Sequence, residues 1–243
     1  MLNNKALKFL ALFLFVASHF WSQDNLLFKR DFDTNLKTDK TIGYLTYEKG
    51  VIGNAANLDG LSSYIEIPAK ALNDLNENFT LEAWVALQEY PWNWAGILDN
   101  RKGGNGIFFG IGAYGELGLF INNDYKEIKC ISDSTVAIPH LQWSHVAASF
   151  SKESGIKIYI DGKLVGFNPY NENYTIDSGS NIWIGRSKVD TCARDTEREN
   201  SIKNKSKMIL DGLLDELKVH NKSMTESEIF DLFKKTEPSV KKV

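Results

Sequence analysis

IYIDGKLVG, residues 158–166, is the stretch whose reading decides the fold class. Two alternating, β-branched and aromatic segments flank Asp161-Gly162. That dipeptide supplies the positive φ angles of a two-residue type I′ turn, the tightest link between antiparallel strands. Working outward, the same texture recurs along the chain. YIEIP, FTLEAWVAL, GIFFGIG, LGLFI, HVAASF, GIKIYI, NIWIG and LLDELKV are short runs rich in Val, Ile, Phe, Tyr and Trp, separated by Gly- and Asn-rich turns. Such residues suit a pleated, half-buried surface. Many short strands with tight turns predict an all-β sandwich or jelly roll of two antiparallel sheets.

One helix is marked near the C-terminus, in KSMTESEIFDLF. Thr225 is placed to cap it and Glu228 to reach back, the reciprocal pattern of a capping box. Met224 and Ile229 fall at the positions of a hydrophobic staple, and Ile229, Leu232 and Phe233 share one face. This short helix is expected to fold against the sandwich and close it.

The 243 residues are 43% hydrophobic and 24% charged, which suits one sizeable domain. Net charge is −3 and no basic stripe is present, so nothing here would hold a nucleic acid backbone. Lys203, Lys205 and Lys207 lie among Asn and Ser and read as a solvated loop.

Lys5 and Lys8 precede the apolar run FLALFLFVA, residues 9–17, and Ser18 and Ser22 supply small residues near a cut. Residues 1–22 therefore read as a signal peptide, too short for a membrane span, with no cysteine there to carry a lipid. No transmembrane span is expected after its removal. The mature chain is expected to be secreted, periplasmic or at the cell surface. The folded unit should run over residues 26–235, with a linker or frayed tail at 236–243 and a charged, variable loop at 188–207. In an oxidising compartment Cys130 and Cys192 can pair, or can remain as two separate thiols. A bridge would contribute about 4 kcal/mol in the chain-entropy model.

The pieces NAANLDGLSSYIEIP (54–68), NFTLEAWVAL (78–87), WSHVAASF (143–150), IKIYIDGKLVG (156–166), IWIGRS (182–187) and LDGLLDELKVHNKSMTESEI (210–229) occur in the order of the laminin-G-like jelly roll. The chain resembles that branch of the concanavalin A-like superfamily over nearly its whole mature length. More narrowly, YPWNWAGILDNR (90–101) followed by GIFFGIGAYGELGLFI looks like the module joined to the N-terminal side of glycoside hydrolase family 32-type enzymes in some bacteria. That resemblance implies an accessory module without its catalytic partner, directed at fructan-like or related sugars. It also leaves open a domain that packs against a hydrolase or another protein and binds no sugar.

Catalysis within the chain is the third class considered. Asp215 and Glu216 are adjacent, so a regular strand would point them to opposite faces. YIEIP and TLEAW contribute only Glu66 and Glu82, and no G-x-S-x-G is present. No zinc-ligand pair stands at helical spacing; His140, His145, Cys130 and Cys192 could be assembled into a metal site, but His145 lies within a strand, where a packed or hydrogen-bonded imidazole is expected. No catalytic constellation emerges. A structural calcium ion is implied by the resemblance: Asp59 matches the family's Asp-Gly turn and Asp215 the acidic position of its last strand. Against this stand a turn aspartate bonding its own backbone and a buried carboxylate satisfied internally.

Trp84, Trp143 and Trp183 lie in strand segments and are expected in the core. Trp92 and Trp94 follow a strand, share Pro91 and flank Asn93, so they belong to a loop. A sugar-binding rim is expected there, with Trp92 or Trp94 as platform, Asp99 and Arg101 as hydrogen-bonding groups and Tyr114 approaching from the next hairpin. The competing expectation is that one or both tryptophans pin the loop to the sheet.

Overall fold

The computed structural model describes residues 25–34, 39–75, 77–103, 105–123, 126–170, 180–188 and 208–243. The strands are β1 (Leu26–Arg30), β2 (Lys40–Ile42), β3 (Thr46–Lys49), β4 (Asn54–Asp59), β5 (Tyr64–Ile67), β6 (Asn78–Glu89), β7 (Ala95–Asp99) and β8 (Gly106–Ile111). They continue with β9 (Leu117–Asn123), β10 (Lys126–Ile131), β11 (Ser144–Ser151), β12 (Gly155–Ile160), β13 (Lys163–Asn168), β14 (Ile182–Ile184) and β15 (Asp211–His220). A single α-helix of this set, α1 (Glu226–Thr236), follows, and a short 3-10 turn covers Ala69–Leu72. The chain is mostly β, as the recurring short runs require.

The opening hairpin forms as its sequence dictates. Asp161 and Gly162 have φ of 49° and 71°, and they join β12 to β13. The Asp161 side chain also accepts from the His145 backbone N–H at 2.9 Å, tying the turn to β11.

Two antiparallel sheets result. Sheet I has eight strands, in the order β13-β12-β11-β6-β15-β4-β3, with β1 also paired to β15. Sheet II has seven, in the order β10-β9-β8-β7-β14-β5-β2. Between them lies the main core, where Phe79, Leu81, Ala83, Val85 and Leu87 of β6 meet Ile107, Phe109, Leu119 and Ile121 of β8 and β9. The period-2 pleat sends the intervening residues of β6 the other way. Thr80, Glu82, Trp84 and Ala86 are buried all the same: Phe233 of α1 packs with Trp84 and Ala86, Thr80 lies against residues 222–224, and Glu82 lies between His145 and His220.

The helix begins as predicted. Thr225 accepts from the Glu228 N–H while the Glu228 carboxylate accepts from Thr225 N–H, a complete capping box. Met224 packs with Ile229, and Phe233 reaches Trp84 at 5.9 Å between ring centroids. Trp84 Nε1–H donates to Thr236 Oγ1 at 2.9 Å, which fixes the helix end. Trp84 is thus buried outside sheet I, not between the sheets.

The C-terminal segment corrects one expectation. It is not frayed: Trp143 N–H donates to Lys241 O at 2.7 Å, Val243 N–H to Leu141 O at 3.1 Å, and the Lys241 ammonium pairs with Asp161 at 2.7 Å. The signal-peptide segment, Cys192 and all of the 188–207 loop but Lys188 lie outside the described residues. Cys130 is buried and forms no disulfide among the described residues; burial pushes its thiol up to about 11. Among the described residues no helix is long and apolar enough to cross a membrane.

Candidate functional site

The outward face of sheet II carries the sequence-predicted residues. Strand register aligns one transverse row of side chains there. Lys40 pairs with Glu66, Glu66 with Trp183, Trp183 with Asp99, Asp99 with Phe108, Phe108 with Phe120, and Phe120 with Lys129. At about 4.8 Å per strand the row extends roughly 29 Å. The neighbouring row is bare: Gly96, Gly110 and Gly118 pair in register. The rings lie over this glycine floor. A Cβ on Gly118 would stand 2.7 Å from Trp94 Cζ3 and 2.8 Å from Phe120 Cε2, so only glycine lets the indole settle there.

Trp94 and Trp92 differ in their surroundings. Trp94 is half-buried, with its ring edge-on to Phe120 at 4.8 Å and to Phe108 at 6.1 Å. Trp92 is 62% exposed. Tyr114 is 80% exposed on the turn between β8 and β9, its backbone N–H donating to Glu116 at 2.8 Å. That turn and the Trp92 loop flank the same end of sheet II, where Ala95 pairs with Ile111 and Tyr90 packs against Gly115.

Asp99 and Arg101 are buried and bound to each other. Asp99 Oδ1 accepts from Arg101 Nε at 3.0 Å and from its backbone N–H at 2.9 Å. Oδ2 accepts from Arg101 Nη2 at 2.8 Å and from the Lys188 N–H at 2.7 Å. The Arg101 guanidinium then lies 4.4 Å above the Phe108 ring, a cation–π contact. With its carboxylate saturated and wholly buried, Asp99 orients Arg101 and the start of the 188–207 segment.

Trp183 requires a correction. It is not core: Ile182 and Ile184 point inward, and Trp183 is half-buried on the outer face between Glu66 and Asp99. The signal was present in NIWIG, where the two isoleucines claim one face and the pleat sends tryptophan to the other. Arg186 lies over both Tyr64, at 4.9 Å, and Trp183, at 5.1 Å, and Lys188 approaches Trp183 at 5.5 Å.

The structure does not bring Asp59 and Asp215 together. Asp59 stands opposite Asp211, and Asp215 lies four residues further along β15, about 13 Å away at the rise of a strand. Asp59 accepts from the N–H groups of Leu61, Ser62 and Ser63 and from both serine hydroxyls. Burial opposes its ionisation, but those hydrogen bonds outweigh it and hold the carboxyl well below the usual range. It is a turn aspartate bonding its own loop. Among the described residues no cluster of three or more His, Cys, Asp and Glu could hold a metal ion. One calcium ion shared by these two carboxylates does not fit this arrangement.

Asp215 is fully buried and accepts from Ile52 N–H at 3.1 Å and Glu216 N–H at 2.7 Å. Burial pushes its pKa from 3.8 up to about 7, against those two donors and with the Glu216 charge adding to the rise. A carboxyl raised in the folded state keeps its proton where the unfolded chain has lost it, so stability should fall as pH rises from about 3.8 to about 7. The limiting slope is about 1.4 kcal/mol per pH unit. Asp215→Asn should remove this component, so that urea midpoints of wild type and variant converge at low pH and separate towards pH 7. Parallel curves would show that Asp215 does not titrate there.

The opposite-faces rule for Asp215 and Glu216 fails because β15 is bulged between Asp215 and Lys218, with Glu216 at φ 49°. Glu216 pairs with Lys218 at 2.8 Å and Lys29 at 3.2 Å. Sequence reasoning also missed the group beside it. Glu82, only 3% exposed, accepts from His145 Nε2 at 2.9 Å and His220 Nε2 at 3.1 Å, with the Lys218 ammonium 3.7 Å away. His145 is therefore the buried, hydrogen-bonded imidazole expected of its strand. These acids lie in the covered outer layer of sheet I.

Two stacked antiparallel sheets, closed by a capped helix and presenting a ring-lined outer face, define a lectin-type β-sandwich. The Laminin_G_3 family model, described as the concanavalin A-like lectin/glucanases superfamily, matches residues 59–230. The chain belongs to this family. No curated protein sequence matches it.

Among solved structures it is similar to domain 4 of AbnA, a GH43 extracellular arabinanase from Geobacillus stearothermophilus, in complex with arabinotriose. The TM-score is 0.64 at 19% identity, covering 86% of this chain and 98% of that one. It is also similar to the binding domain of Paraclostridial Mosquitocidal Protein 1, with TM-score 0.67, 18% identity, and 86% and 52% of the two chains covered. A third likeness is to the binding domain of botulinum neurotoxin DC in complex with SialylT, with TM-score 0.59 and 14% identity. That match covers 82% of this chain and 46% of the other, so this chain spans about half the neurotoxin domain's length.

Proposed function

We propose that this protein is a secreted, non-catalytic carbohydrate-binding or adhesion module that serves a polysaccharide-degrading enzyme. The observation that carries this reading is the outward face of sheet II. Half-buried Trp94 and Trp183 lie there beside the buried rings of Phe108 and Phe120, and exposed Trp92 and Tyr114 stand at its rim. Indole and phenol faces stack on the C–H faces of pyranose and furanose rings, and a rigid sheet holds them at low entropic cost. Trp92 is the platform, Tyr114 a second rim contact, and Trp94 with the Asp99–Arg101 pair the support. An oligosaccharide or polysaccharide chain would meet the face at this rim, beside Trp92 and Tyr114. The complex of the arabinanase domain with arabinotriose supports the reading, as does the leader-like N-terminus, which supports export.

Affinity electrophoresis of the purified mature chain through gels containing arabinan, levan, inulin, xylan or polygalacturonate tests it. Retardation by at least one polysaccharide, abolished by Trp92→Ala, is expected. Unretarded migration in every gel would leave a protein-packing domain as the function.

A further inference from the structure

The end of the sandwich that carries Trp92 and Tyr114 is built from three stretches, 88–94, 112–116 and 132–142, which contain no Lys or Arg. Tyr90 ties them together. Its ring touches Gly115, where a Cβ would stand 2.6 Å from Tyr90 Cζ, and packs on the His140 imidazole at 3.9 Å between centroids. Its hydroxyl donates to Ile138 O at 2.7 Å, and Ile138 N–H donates to Gly115 O at 2.9 Å. Leu141 N–H donates to Leu87 O at 2.7 Å and fixes the third stretch to β6. Two polar groups stay open beside these rings. Glu116 is half-buried; its Oε2 accepts from Tyr114 N–H at 2.8 Å, and its Oε1 has no hydrogen-bond partner among the described residues. The exposed His140 imidazole has none either. The charges here are of one sign. Glu89, Glu116 and Asp133 are the acidic side chains of the three stretches, and Glu89 pairs in register with Asp211, which pairs with Asp59. Burial raises the Asp211 carboxyl, and the charges of Glu89 and Asp59 raise it further. Lys242, bridged to Gln142, is a single opposing charge.

Resting on the carbohydrate-binding reading, we propose that His140 and Glu116 complete the glycan site beside Tyr114 and Trp92, and that this site takes an uncharged glycan and rejects an acidic one. Aromatic rings stack on the C–H faces of any sugar, so they do not choose by charge. The polar groups do. An ionised carboxylate can only accept, and a sugar hydroxyl can donate to it, whereas a uronate or a sulfate ester offers it a second anion. Like charges set against each other at a contact suppress that partner. The imidazole adds one donor and one acceptor, and a hydroxyl can answer either. On stretches without Lys or Arg, no guanidinium or ammonium stands ready to receive an anion. The Tyr90 knot holds these groups in place before a ligand arrives, which lowers the ordering cost of binding.

Calorimetric titration at one fixed pH and ionic strength tests this, with arabinan, levan, inulin and dextran as uncharged polymers and polygalacturonate and dextran sulfate as anionic ones. At least one uncharged polymer should bind roughly tenfold more tightly than either anionic polymer. His140 and Tyr114 are exposed, so His140→Ala and Tyr114→Ala should fold normally, with thermal midpoints near that of wild type. Each should weaken binding of the preferred polymer about tenfold. Glu116→Gln keeps an oxygen to accept from Tyr114 N–H and removes the charge, so it should narrow the gap between uncharged and anionic polymers. An anionic polymer bound as tightly as the best uncharged one, unchanged affinity in either folded alanine variant, or an unchanged gap in Glu116→Gln would each overturn the proposal. The broader carbohydrate-binding reading would survive those outcomes. Binding of none of these polymers would overturn both.

Discussion

Glu82→Ala should destabilise the protein by about 3–5 kcal/mol, as expected when one member of a buried charged group is removed. Glu82 is only 3% exposed and provides the acceptor for both His145 Nε2 and His220 Nε2. Neither imidazole Nδ1 has a hydrogen-bond partner among the described residues, so each ring depends on Glu82 for its contact. Glu82→Gln keeps the shape and one acceptor oxygen, and should cost about 1–3 kcal/mol.

The carboxylate also gives a pH signature. Burial opposes its ionisation, yet the hydrogen bonds of His145 and His220 and the charges of His145 and Lys218 hold it well below its ordinary 4.5. A depressed carboxyl contributes stability above the unfolded value, and that contribution disappears as pH falls below about 4.5. Wild type should therefore lose stability on acidification below that pH more steeply than Glu82→Ala. Urea melts of all three proteins between pH 3 and pH 7 would read both effects. Variants within about 0.5 kcal/mol of wild type, the range of ordinary surface changes, would remove the network from the account of stability.

The second large effect separates the two neighbouring tryptophans. Trp94→Ala should cost about 3–5 kcal/mol, towards the lower end because the ring is half-buried. The change removes the edge contacts to Phe108 and Phe120 and empties the space that Gly118 keeps clear. Trp92→Ala, at a 62% exposed position, should leave stability within about 0.5 kcal/mol while abolishing polysaccharide binding. Thermal melts paired with calorimetry on both variants measure the split. Equal destabilisation by the two changes would mean that both rings are packing residues.

Several features of the fold were legible because they are local. The Asp161-Gly162 turn follows from positive φ angles that few residue pairs adopt cheaply, and both angles are observed. The capping box and the Met224–Ile229 staple lie within a few residues of each other and needed no tertiary information. The β-rich runs predicted sheets, and the order of segments predicted the family that residues 59–230 match. The sequence also suggested that Trp92 and Trp94 would differ, and they differ in exposure, though the sequence did not say which would be the buried one.

What the sequence determined by itself, then, was strand content, tight turns, the helix and the family, because those depend on neighbours in the chain. Tertiary structure decided which side of each strand faces what. Strand parity defines two faces but does not say which is covered, so Trp84 is in the core, as expected, but in the layer under α1, whereas Trp183, also expected in the core, is half-buried on an outer face. It also decided which charges are available. Asp99 and Arg101 are close in sequence and close in space, but burial turns the pair into support for the face. Asp59 and Asp215 belong to paired strands, yet register separates them, and a bulge undoes the simple alternation at Glu216. Glu82, His145 and His220 meet only because β6 pairs with both β11 and β15, a register set by the long-range burial of their other faces.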